Sequence, residues 1–384
     1  MFNTGVKTDY WMLFLLFLFS IVSFLSIHSA QATDQVETNY MVKQMIWYSL
    51  GFVILFISIK LEIRVFYQLT WVLYIGGILV LAALLVAPES IADPVNNAKS
   101  WFQVPGLGSV QPSEYFKFIF ILSLSRVVAS HHRNFPSATI WSDSWLMGKF
   151  GVMTVIPLFF IMEQPDLGTS LVYIAILLGM LFVSGITYKI LLPMIAAGFG
   201  ICAMLLYFIV NKPQLLIEKL GVDEYQLKRI YAWLHPEKYR QSDSFQVYNS
   251  TLAIGSGELE GNGKGIPAVN VPEAHNDFIF SIIGENFGFM GAAVVITLYF
   301  ALLYRMVETA LHANDEFASY ICVGVISMIT FHVFENVGMA TGLVPMTGIP
   351  LPLISYGGSS ILGVMFAIGL VLNVYSNTHE YMFD

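Results

Sequence analysis

The chain has 384 residues, of which 56% are apolar and only 11% charged, and its formal net charge at pH 7 is −8. Roughly a quarter of the residues in an ordinary soluble domain are charged, so a soluble core of this composition is excluded. The apolar runs are continuous and about 20 residues long, without period-two alternation, which excludes an outer-membrane barrel and leaves an all-α polytopic protein of the inner-membrane type. The negative net charge says little here, because Lys and Arg in short loops set topology. No basic patch suggests nucleic acid. Cys202 and Cys322 both fall inside predicted spans, so neither a disulfide framework nor a metal site is indicated.

In chain order, Lys7 precedes an apolar run from Tyr10 to Ile27, and Ser29-Ala30-Gln31-Ala32 then imitates a signal-peptidase site. The run is long for a signal segment and many spans follow, so it is read as a retained first helix. Further spans are predicted at 41–59, 68–87, 112–129, 149–163, 167–185, 188–210, 276–304, 317–341 and 351–375, ten in all within a single domain, 1–384. The fifth is short and interrupted by Pro157, yet an even number of spans requires it. With a cytoplasmic N-terminus, the short inner loops collect Lys60, Arg64, Arg126, Arg133, Lys189 and Arg305, whereas the short outer ones hold only Lys99 and the flanking Lys43. Both termini are therefore expected in the cytoplasm, with the chain crossing the cell membrane many times.

One long polar loop, 211–275, lies between the seventh and eighth spans and is expected outside. Its first part, Glu218 to Tyr239, carries Tyr225, Tyr231, Trp233 and Tyr239 among several charges, the pattern of an amphipathic interfacial helix. Its second part, Ala253 to Gly265, is dense in glycine, which lets backbone approach a ligand or fold tightly against the membrane. It matches neither the Walker nor the dinucleotide pattern, so nucleotide binding is not inferred.

Four places carry polar chemistry into the membrane. In Gln111-Pro112-Ser113-Glu114-Tyr115-Phe116-Lys117, Glu114 and Lys117 form an i, i+3 pair, either a structural ion pair or the charged lining of a headgroup cavity. In Glu163-Gln164-Pro165-Asp166, Pro165 breaks the helix and Asp166 is placed to cap the next, while Glu163 has no such structural explanation. From Glu335 to Ser360 the density of Pro and Gly implies a broken lead-in to the last helix, with His332 before it packing as a neutral core residue. The fourth place is Val271 to Gly288, where a polar loop becomes an apolar helix. A helix beginning near Asn276 puts Asp277 in its first turn, with Ser281 and Glu285 on the same face. Glu285 would then lie on the order of 12 Å deeper. Asp277 is either a dipole-stabilised first-turn residue or a functional acid, and Glu285 either a buried structural hydrogen-bonder or a functional one.

Together these runs resemble the SEDS family of peptidoglycan polymerases, the group of RodA, FtsW and SpoVE. Trp101 to Lys117 resembles the family's tryptophan-to-QPSE-x-x-K element, Gln164 to Thr169 its QPDLGT, and Gln246 to Gly265 its glycine-rich loop. Pro272 to Gly288 resembles PEAHTDFIF-x-x-x-GEE-x-G, and Gly348 to Ser359 the terminal GxPLPxxSYGGS. Asn276 stands where threonine is common and Asn286 where a second glutamate is common, so a role for that second acid is not transferred. The resemblance implies polymerisation of lipid II on the outer face of the cytoplasmic membrane, Asp277 as the essential acid, and a class B penicillin-binding protein as partner. The Ala253-Ile254-Gly255-Ser256-Gly257 wording and the short C-terminal tail look more like the RodA, elongation branch.

Under that reading Asp277 is the catalytic residue, taking the acceptor's proton. Glu114, Lys117, Glu163, Asp166, His275, Glu285 and Ser355 form the candidate substrate-binding set. Lys117 is the first candidate to stabilise the leaving pyrophosphate. The sequence identifies no cofactor; a divalent ion held by acids such as Glu114 is an option that no spacing motif supports. An α-linked donor and a β-linked polymer imply single-displacement inversion. The alternative is a lipid II flippase, which predicts internal repeats; none is visible between the halves.

Overall fold

In lipid, a helix is the structure that satisfies its backbone from within, and the long apolar runs fold accordingly. The computed structural model describes residues 8–31, 39–92, 99–104, 108–137, 139–220, 224–235, 245–263 and 269–380. Ten long helices lie among them: α1 (Tyr10–Gln31), α2 (Tyr40–Lys60), α3 (Ile63–Val86), α4 (Pro112–Asn134), α5 (Ile140–Met162), α6 (Leu167–Val183), α7 (Tyr188–Asn211), α11 (Ile279–His312), α12 (Glu316–Ala340) and α13 (Gly358–Glu380). The long loop contributes α8 (Pro213–Leu220), α9 (Glu224–Leu234) and α10 (Phe245–Ser256), and a hairpin of β1 (Phe102–Val104) and β2 (Gly108–Val110) precedes α4. Eight of the helices are long and apolar enough to cross a membrane; α6 has 17 residues, and α4 carries the polar residues of its first and last turns.

The ten predicted spans thus correspond to ten helices, with shifted ends. The fifth is a full 23 residues, beginning at Ile140, where the Thr139 hydroxyl accepts from Ser142 N at 3.2 Å. Pro157 sits within it. The third begins at Ile63, the eighth only at Ile279, and the last at Gly358. The interfacial helix expected over Glu218 to Tyr239 is the shorter α9; Tyr239 lies outside the described residues, as does Gly265.

Polar contacts gather at the two ends of the bundle. At one end Asp9 caps α1 through Trp11 N and Met12 N and pairs with Arg305 at 2.6 Å, and the buried Asn373 amide donates to carbonyls at the end of α2. At the same end Asp143 accepts from Thr187, and His132 meets Glu316 at 3.0 Å. The other end carries the hairpin, the long loop and the segment 341–357. α4, α12 and α13 are the most enclosed helices, whereas Ile209 is the one buried residue described in α7.

The glycine-rich run has a structural use. α11 is broken at Gly288, where φ is +59° and ψ −159°. A break leaves N–H groups without helical partners, and two of them donate to the loop: Phe289 N to Glu258 O at 2.9 Å and Met290 N to Leu259 O at 3.2 Å. Asn262 N donates in turn to Glu285 O at 2.9 Å. Backbone this close excludes side chains, since a Cβ built at Gly261 would lie 2.2 Å from Asn286 O. Here the glycines bring loop and helix together.

Candidate active site

The segment 341–357 is irregular backbone among membrane helices, and its polar groups need partners. Side chains from surrounding helices supply them. Asn336 donates to Ile349 O at 2.8 Å, and His332 Nδ1 lies 3.3 Å from Pro350 O. Tyr299 donates to Pro352 O, Tyr48 to Leu353 O, Ser23 to Ile354 O and Gln44 to Ser355 O. The predicted broken lead-in to the last helix is therefore real, and Ile349 to Ser355 are almost entirely buried in protein.

This fixed segment holds the turn that carries Asp277. Ser355 Oγ donates to Asn276 O at 2.6 Å and accepts from Leu351 N at 2.8 Å. Tyr356 N donates to His275 O, and Asn336 donates to Asp277 O at 2.7 Å. His275 stacks on Tyr40 with ring centroids 4.2 Å apart, and its Nε2 lies 3.9 Å from Glu273 Oε2. Gly348, at φ +76°, lets the segment pass close to the carboxylate: a Cβ there would lie 3.3 Å from Asp277 Oδ2. Ser355 and His275 thus position the turn.

Asp277 itself lies before the helix. Because Glu273 turns through φ +54° and the 272–278 run forms successive turns, α11 starts at Ile279, three residues later than expected, and Asp277 precedes its first turn. Burial, with the neighbouring Glu273 charge, pushes the Asp277 carboxyl up to about 7, against a smaller lowering by Arg229. Among the described residues its carboxylate accepts no hydrogen bond. Arg229, on α9, is the nearby cation that the sequence did not single out; its Nη1 also reaches Met346 O at 3.4 Å. It was one of several charges in an amphipathic stretch, and only the fold shows which of them faces Asp277.

The remaining candidates fall into three places. Lys117, buried, donates to Glu114 at 2.7 Å and lies 3.2 Å from His332 Nε2. The Pro350 carbonyl can only accept, so His332 carries its proton on Nδ1 and offers Nε2 to the ammonium, as a neutral ring. Asp166 caps α6 through Thr169 N at 2.9 Å, as expected, and also accepts from Gln111 at 2.8 Å. Its charge is felt at Asp277, and those of Glu114 and Lys117 at Asp166, so these acids form one electrostatic neighbourhood. Glu285 is buried beneath the loop, its Oε1 accepting from Val269 N at 3.2 Å. Glu163 is exposed at the end of α5 and makes no side-chain contact with this group. Thr347, which donates to Glu335 at 2.8 Å, joins the segment to α12. Among the described residues no three His, Cys, Asp or Glu side chains cluster as a metal site.

Comparison with known proteins identifies the family to which the chain belongs. A family model described as "Cell cycle protein", that of FtsW, RodA and SpoVE, matches residues 7–380. The chain is 31% identical over 361 residues to a protein of Geobacter metallireducens named probable peptidoglycan glycosyltransferase FtsW, covering 93% of this chain and 90% of that one. A solved structure described as the structural coordination of polymerization and crosslinking by a peptidoglycan synthase complex contains a chain that superposes with a TM-score of 0.77 at 26% identity, over 97% of this chain and 99% of that one. The rod shape determining protein RodA of Thermus thermophilus superposes with a TM-score of 0.70 at 27% identity, over 98% and 99%.

Proposed function

The chain belongs to the FtsW, RodA and SpoVE family of peptidoglycan glycosyltransferases, and from that premise we propose that it polymerises lipid II at the outer face of the cytoplasmic membrane with Asp277 as general base. The observation that carries this reading is the position of the Asp277 carboxyl at the loop end of the bundle, on a turn fixed by Ser355 and Asn336, where burial raises its pKa to about 7. A base is most effective when its pKa lies near the working pH. As the acceptor hydroxyl oxygen bonds to the donor's anomeric carbon, its proton passes to Asp277. The bond from that carbon to the lipid pyrophosphate breaks, and inversion follows from a single displacement.

The leaving pyrophosphate needs cationic stabilisation. Arg229 is better placed for it than Lys117, because Lys117 is buried and its charge is matched by Glu114. Lys117, Glu114 and Asp166 are assigned to the field around Asp277, and Ser355, His275 and Asn336 to its position. Both termini are placed in the cytoplasm, and a class B penicillin-binding protein is the expected partner, a reading supported by likeness to the synthase-complex chain. The Ala253 to Gly257 wording favours the elongation branch, although relatives named FtsW and RodA both match.

The test is fluorescent lipid II in liposomes holding the purified chain and a partner transpeptidase. Glycan strands resolved on a gel are expected. Transbilayer movement of lipid II without polymer would replace this reading by transport.

A further inference from the structure

The arginines of the inner loops entered the sequence reading only as topology markers, yet three of them converge in space. At the end of the bundle away from Asp277, a cavity of about 380 Å³ opens where the start of α3, the end of α4 and the start of α12 meet. Arg64, Tyr67, Gln68, Arg133, Asp315 and Phe317 line it. Two arginines therefore face one aspartate, and the Asp315 carboxylate stands 3.7 Å from Arg133, a long ion pair between half-exposed side chains. Arg64 makes no ion pair or hydrogen bond among the described residues. Arg126 lies beside the cavity, 4.5 Å over the Tyr67 ring, held by the Tyr67 carbonyl at 2.6 Å. The neighbouring acid Glu316 is engaged by His132.

We propose that this cavity binds the phosphate of an anionic phospholipid in the leaflet opposite the catalytic face. Two features favour a lipid over a soluble anion. First, the floor is apolar: Tyr67 and Phe317 pack edge to face at 5.1 Å, leaving surface for a glycerol backbone that free phosphate would not cover. Second, the cavity continues into an exposed apolar stripe. Gln68, Val72, Ile75 and Leu79 follow one another at helical spacing on α3, and the last three are 68%, 60% and 63% exposed. A headgroup at Arg64 and Arg133 would lay its acyl chains along that stripe. Basic pockets between membrane helices hold anionic headgroups in this way, each Lys or Arg near the surface contributing on the order of 1 kcal/mol.

The test is lipid titration by native mass spectrometry of the full chain, independent of turnover. Dioleoyl phosphatidylglycerol should bind more tightly than dioleoyl phosphatidylcholine. Arg64→Gln, at an exposed side chain with no partner to lose, should weaken phosphatidylglycerol about fivefold, and Arg64→Gln with Arg133→Gln by that factor again. Phosphatidylcholine binding should not change in either variant, Arg64→Lys should keep the preference, and Asp315→Asn should strengthen it. Equal affinity for the two lipids, or an unchanged preference in the double variant, would overturn the proposal. Inorganic phosphate binding as tightly as phosphatidylglycerol would overturn the lipid assignment in favour of a soluble anion.

Discussion

The side-chain amide of Asn336 donates to the backbone carbonyl of Asp277 at 2.7 Å while also holding Ile349 O at 2.8 Å. One buried residue on α12 thereby couples the turn bearing the acid to the irregular segment before α13. Asn336→Ala leaves two carbonyls without that donor, at a cost of about 1 to 3 kcal/mol each. Misplacement of a reacting group by about 1 Å can lower a rate about a hundredfold. Polymer yield should therefore fall far more than the amount of folded protein, measured side by side by gel and by size-exclusion chromatography.

The raised pKa of Asp277 gives two signs to check. As a base it must be ionised, so the polymerisation rate should climb with pH up to about 7 and then level off. Stability runs the other way. The folded carboxyl keeps its proton up to about 7, while the unfolded one loses it near 3.8, so rising pH through that window disfavours the fold. Thermal unfolding in detergent should show Asp277→Asn gaining on the wild type as pH rises from about 4 to 7. A constant gap between them would contradict this.

Gly348 and Gly261 should separate site from scaffold. Gly348→Ala meets a left-handed backbone, costing about 1 to 2 kcal/mol, and brings a methyl group to 3.3 Å from Asp277 Oδ2. It should fold and polymerise poorly. Gly261→Ala brings its Cβ to 2.2 Å from the Asn286 carbonyl, where neither backbone can yield easily. That variant should fail to accumulate as a monodisperse peak.

The buried Glu114–Lys117 pair should behave as a unit. Removing one partner strands a charge in the bundle, at about 3 to 5 kcal/mol. Lys117→Met should therefore lower the unfolding temperature sharply, and adding Glu114→Gln should restore much of it. Additive losses would show that the two do not act together.

How much of this was legible in the sequence follows from the range of the forces involved. Runs such as Tyr10 to Ile27 announce spans because lipid selects on length and apolarity alone. Asp166 was recognisable as a cap because Pro165 breaks one helix just before the next begins. The start of α11 was placed three residues early, because the turns from Pro272 to Phe278 are held by Ser355 and Asn336, distant in sequence. The break at Gly288 was missed for the same reason: its freed N–H groups find Glu258 and Leu259 only in the folded chain. Arg229 carried no local signal at all. Glu163, which resisted a structural explanation in the sequence, lies exposed and apart from the acids around Asp277.

The most direct measurement compares wild type with Asp277→Asn, at equal folded amounts, for glycan-strand synthesis from purified lipid II in liposomes with the partner transpeptidase. Asn is nearly isosteric and cannot take the proton as a carboxylate does, so polymer should be lost although the variant is folded and at least as stable as the wild type near pH 7. Equal polymer from both proteins would remove Asp277 from the chemistry.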